Sequence, residues 1–107
     1  MGAVSHAGNL TITTPTMATA TSVTVAAAKP FRNFLMIQNN SGASIGLSFS
    51  GATLTGIAPT STNFCYVLPH SAGSNIVRFD GNCVPAGAIT AYQTSGGSID
   101  TLVVIEG

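Results

Sequence analysis

The feature that most narrows what this chain can fold into is a rhythm. Short runs of Val, Ile, Thr, Phe and Tyr recur about every ten residues, and Gly, Pro, Asn, Asp and Ser punctuate them. Within the runs, apolar and polar residues alternate, which sends successive side chains to opposite faces of an extended strand. Residues 21–26 set Val23 and Val25 against Ser22 and Thr24, and residues 44–50 set Ile45, Leu47 and Phe49 against small polar residues. Residues 31–38 differ, with Phe34 and Met36 on one face and Leu35 and Ile37 on the other. A strand apolar on both faces is expected in the middle of a sheet, covered on both sides. Further strands are predicted at 62–68, 75–79, 88–94 and 99–106, with a short one around Leu10 and Ile12. Turns are predicted at Lys29-Pro30, at Asn39-Asn40-Ser41-Gly42, and at two hairpins flanking the 88–94 strand, Asp80-Gly81-Asn82 and the Gly96-Gly97 region.

No apolar set holds a helical period over three turns, and all five prolines fall in turns or in the N-terminal stretch. The expectation is an all-β chain, an antiparallel β-sandwich or jelly roll of about eight strands. Residues 1–20 form an extended N-terminal arm and residues 21–107 a single domain in this reading. The predicted core is Phe34, Leu35, Met36, Ile37, Ile45, Leu47, Phe49, Phe64, Tyr66, Ile76, Phe79, Ile89, Leu102 and Val104.

Charge is the second constraint. Asp, Glu, Lys and Arg make up 6% of the 107 residues, where a soluble domain carries about 25%. The six are Lys29, Arg32, Arg78, Asp80, Asp100 and Glu106, and they sum to zero. A domain that diffuses alone keeps charge on its surface and sheet edges. Interface cores are depleted in it, so much of this surface is expected to lie against other subunits. Three scattered cations make no phosphate-binding patch, which argues against nucleic acid. No apolar run approaches the ~18 residues of a membrane span, and the N-terminus has neither the basic nor the apolar region of a secretory signal.

Catalytic and metal chemistry finds few candidates. Gly42-Ala43-Ser44-Ile45-Gly46 spells G-x-S-x-G, but lies between two strands with no helix after it, so its glycines read as turn residues. His70, Ser71 and Asp80 have no spacing that favours a triad. Cys65 and Cys83 lack metal-ligand spacing; two reduced, packed thiols are the default, and a bridge between adjacent strands is the alternative. No enzyme, cofactor or metal is expected.

Two segments carry a resemblance. The run Ala28-Lys29-Pro30-Phe31-Arg32-Asn33-Phe34-Leu35-Met36-Ile37-Gln38-Asn39-Asn40-Ser41 is followed by Ile45-Gly46-Leu47-Ser48-Phe49 and a Gly51 turn, and the chain ends Val103-Val104-Ile105-Glu106-Gly107. These stretches, roughly residues 28–50 and the last few, resemble small structural proteins from the virions of tailed bacteriophages. In those, a strand of the type R-x-x-L-x-I-Q-N-N-S precedes a short alternating strand, and the chain closes on V-x-V-I-E-G. The resemblance implies a capsid decoration, cement or stapling protein: it sits on the capsid surface of the virion, is assembled in the host cytoplasm, and clamps neighbouring major-capsid subunits. Its partners would be the major capsid protein and copies of itself, as a dimer or trimer. The arm, with Val4, Leu10, Ile12 and Met17 as anchors, and the cations Lys29, Arg32 and Arg78 are the candidate contacts. A tail, fibre or head–tail adaptor component is the alternative within the virion. A carbohydrate-binding module is the alternative from another class, although Tyr66 and Tyr92 are the only residues of Trp or Tyr type.

Overall fold

In a computed structural model, the structure describes residues 10–60, 63, 65–71, 73–81, 83–94 and 101–107. Eight strands follow one another: β1 (Thr11–Thr13), β2 (Thr21–Ala26), β3 (Phe34–Asn39), β4 (Ile45–Ser48), β5 (Tyr66–Leu68), β6 (Ile76–Asp80), β7 (Ile89–Gln93) and β8 (Leu102–Glu106). They form two four-stranded sheets, ordered β1-β8-β3-β6 and β2-β7-β4-β5, with every pair antiparallel. β1 pairs with β8, β2 with β7, β3 with β6 and β4 with β5, as in one long hairpin folded at the β4–β5 connection. Rolling that hairpin up brings β8 beside β3 and β7 beside β4, which is the winding of a jelly roll.

Strand parity decides what enters the core. Leu35 and Ile37 of β3 and Leu102 and Val104 of β8 face inward from the first sheet. Ile45, Leu47, Leu68, Ile89 and Ala91 face them from the second. All of these are fully buried. A register shift between Thr24 and Ala26 puts both Val25 and Ala26 into the core, where strict alternation would admit only one. Phe49 packs edge-on against Phe79, with centroids 5.1 Å apart, and leans on Tyr66 at 6.3 Å. These rings close the flank between the edge strands β5 and β6.

Several expectations need correction. Phe34 and Met36 are only half-buried and Tyr66 and Ile76 are exposed, so none of the four belongs to the centre of the core; Phe64 lies outside the described residues. β3 is apolar on both faces, yet this chain's own second sheet covers one of them. The two predicted hairpins are crossovers: β6 and β7, and likewise β7 and β8, lie in different sheets. Part of the expected arm belongs to the sandwich. β1 pairs with β8, the Pro15 carbonyl accepts from the Leu102 amide, and Met17 is buried in the core.

Ala20, where that stretch turns into β2, has φ of 54°, and its amide donates to the Gln93 carbonyl at 2.6 Å. This left-handed conformation costs an alanine about 1–2 kcal/mol and a glycine almost nothing. Ala20→Gly is expected to raise stability by about 0.5–1 kcal/mol after the larger unfolded-state entropy of glycine is subtracted. The measurement is the urea midpoint at unchanged slope; a lower midpoint would show that no strain resides there.

Candidate functional site

The two sheets treat their outer faces differently. The outer face of β2-β7-β4-β5 is roofed by the long β4–β5 connection. Leu54 is buried beneath its own segment, whose amide reaches the Ser22 hydroxyl at 3.1 Å, and the Thr90 hydroxyl donates to the Ala52 carbonyl. The roof lies so close that a Cβ on Gly46 would stand 3.2 Å from the Gly56 carbonyl oxygen and 3.3 Å from the Ile57 Cα. Asn63 organises it. Its Oδ1 accepts from the Thr55 amide at 2.9 Å, and its Nδ2 donates to the Gly56 and Ala58 carbonyls, both at 3.0 Å.

The outer face of β1-β8-β3-β6 has no such roof among the described residues. The register lays its side chains in three rows: Phe34 beside Asp80; Ile12, Ile105, Met36 and Arg78; and Val103, Gln38 and Ile76. Ile12 is 66% exposed and Ile76 47%. Most of this face is apolar, and among the described residues its charges are confined to edge strand β6. There Arg78 pairs with Asp80 at 3.2 Å and lies 5.6 Å from the centre of the Phe34 ring. Both charges are largely in solvent, so the pair contributes at most about 1 kcal/mol.

The expected contact residues therefore separate. Leu10 and Ile12 are exposed beside β8, and Arg78 is exposed on the same face. Lys29 is half-buried in a turn, its amide donating to the Ala86 carbonyl at 2.8 Å. Val4 lies outside the described residues. Met17 does not point outward, because it plugs the crossover between the sheets. Arg32 cannot reach a partner either, since its side chain has no exposed surface. Its Nε donates to Glu106 Oε1 at 2.8 Å, its Nη1 to the Pro85 and Gly87 carbonyls, and its Nη2 to the Ala27 carbonyl at 2.7 Å.

Phe31 is the residue that sequence reading missed. It is 92% exposed on the turn closed by the Arg32 amide and the Lys29 carbonyl, immediately before the anchored Arg32. The signal was present: Pro30 before it and the polar pair Arg32-Asn33 after it interrupt the strand pattern and detach Phe31 from the run beginning at Phe34.

The remaining chemistry-bearing side chains are scattered. His70 follows β5 near Asn39, whose Nδ2 donates to the Leu68 carbonyl, and Asp80 lies at the far end of β6, some ~13 Å along the strand. The two are not brought together. Among the described residues no three His, Cys, Asp or Glu side chains gather. A shallow groove of about 500 Å³ is lined by Leu47, Phe49, Pro59, Cys65 and Tyr66, with Ser48 and Ser50, and is mostly apolar. Cys65 and Cys83 are unbridged, and Cys83 is exposed, not packed as expected.

What fold and surface together define is an eight-stranded jelly roll with one roofed sheet and one sheet whose apolar outer face no described residue roofs. Comparison with known protein families, with curated proteins and with solved structures finds no match for this chain.

Arg32→Ala should cost about 3–5 kcal/mol, because it strips Glu106 and three backbone carbonyls of their common donor. Arg32→Lys should recover little of this, since an ammonium cannot satisfy a fork of acceptors; a chemical denaturation series measures both. Burial pushes the Cys65 thiol above its ordinary value, which lowers its thiolate fraction at a given pH. Iodoacetamide at pH 7.5 should therefore modify Cys83 first, with Cys65 following only at higher pH, as peptide mass mapping would show.

Proposed function

We propose that this protein is a structural component of a tailed-phage virion, a cement protein that binds the outside of the capsid and clamps neighbouring major-capsid subunits. The observation that carries the reading is a mismatch between surface and composition. Leu10, Ile12, Phe31 and Ile76 stand in solvent on a chain with only six charged residues. Apolar surface of this kind, without charge around it, suits contact with other subunits more than life as a lone domain. The strand, turn and C-terminal segments resembling phage structural proteins supply the choice of partner. The jelly-roll winding is compatible with it, because that architecture is widespread among viral coat proteins.

In this reading Phe31 is an anchor for a capsid pocket. An exposed aromatic on a turn held by a buried arginine loses little conformational freedom on docking. Residues 1–9, with the adjoining Leu10, extend the contact, and many weak contacts repeated over a symmetric shell become strong collectively.

The test mixes the purified protein with expanded capsids of its own source. It should co-sediment with them and raise their thermal resistance. Phe31→Ser should weaken co-sedimentation without lowering the melting temperature, and removal of residues 1–9, which leaves β1 in place, should do likewise. Neither co-sedimentation nor protection by the full chain would end the cement reading.

A further inference from the structure

We propose that the outer face of the β1-β8-β3-β6 sheet is a self-association surface, on which a second copy of this chain packs face to face about a two-fold axis. The two central strands state the need. Met36 and Phe34 of β3 and Val103 and Ile105 of β8 point away from the core, so the strands are apolar on both sides. That is the pattern of strands covered on both faces, and the described residues of this chain cover only the inner one. The equivalent face of the other sheet is roofed by residues of its own chain.

Charge selects a second copy. Among the described residues the charges on this face are one cation and one anion, Arg78 and Asp80, so the described face is neutral and complementary to itself. In a two-fold interface each residue meets the same residue pair in reverse. An axis crossing the strands between the Phe34 and Met36 rows sets Arg78 of each copy opposite Asp80 of the other. It also lays Met36 against Phe34, with the sheets at the roughly 10 Å separation of packed β-faces. A dimer of this kind carries two copies of Phe31 and two N-terminal segments. This is the valence a clamp requires, although the dimer stands or falls without the capsid reading.

Sedimentation equilibrium of the purified full chain, with no capsid present, is the test. The wild type should be a dimer at micromolar concentration, and Met36→Lys and Ile105→Lys should be monomers. Arg78→Glu alone and Asp80→Lys alone should each raise the dimer dissociation constant at least roughly tenfold, because like charges then face each other. The double variant Arg78→Glu/Asp80→Lys should return it to within about threefold of wild type, since opposite charges face again. Both charged positions are in solvent in the single chain, so these variants fold even where Met36→Lys does not. A monomeric wild type would overturn the proposal and leave the face to another partner or to residues 1–9. A trimer, or a double variant no better than the singles, would overturn the two-fold arrangement.

Discussion

The buried guanidinium of Arg32 ties together parts of the chain that are far apart in sequence. It joins the end of β2 through Ala27, the β6–β7 crossover through Pro85 and Gly87, and the end of β8 through Glu106. A jelly roll made by rolling a long hairpin leaves ragged backbone at the ends of its sheets, where carbonyls lose their ladder partners. Water can satisfy such groups only where it can reach them. Here one planar, permanently charged group satisfies three carbonyls and a carboxylate at once, and so lets that end be sealed. The C-terminal residue takes part as well, since the Gly107 carbonyl accepts from the Asn33 amide and the Gly107 amide donates to Phe34.

The opposite end is closed by asparagine. Asn39 is buried, with its Nδ2 donating to the Ala43 and Leu68 carbonyls and its Oδ1 accepting from the Ser41 amide and hydroxyl. This locks the β3–β4 turn to the end of β5. With Asn63 organising the roof, three polar side chains hold the irregular backbone in place while the apolar strands fill the middle. The scarcity of charge is intelligible on these terms. Arg32 is wholly internal, its carboxylate partner is mostly so, and most of the remaining polarity is hydroxyl and amide that the fold uses locally.

Sealing both ends and roofing one sheet leaves apolar surface among the described residues in two places besides the groove at Tyr66. One is the outer face of the first sheet, where three rows of side chains run across β1, β8, β3 and β6. The other is Phe31, held clear of the body on the turn that leads into Arg32. A flat face suits a copy of itself, and a single projecting ring suits a pocket on something else. Division of labour between the two gives a small particle component both valence and reach.

What the sequence determined by itself is the set of strands, their approximate limits, and which side chains share a face. Period-two alternation and turn residues encode all of these locally, so Leu35, Ile37, Ile45, Leu47, Ile89, Leu102 and Val104 were legible as core. Alternation says nothing about which strand lies alongside, nor about which of two apolar faces the chain's own second sheet will cover. Hence Asp80-Gly81 looked like a hairpin and is a crossover, and Phe34 and Met36 looked like core and lie on the outside. The fates of Arg32, Met17 and Phe31 were likewise decided only by tertiary structure. A lone arginine becomes internal only when carbonyls from distant segments converge on it, and a methionine in a Thr-rich stretch enters the core only when that stretch crosses between the sheets. Contacts of such long sequence separation leave no local periodicity to read.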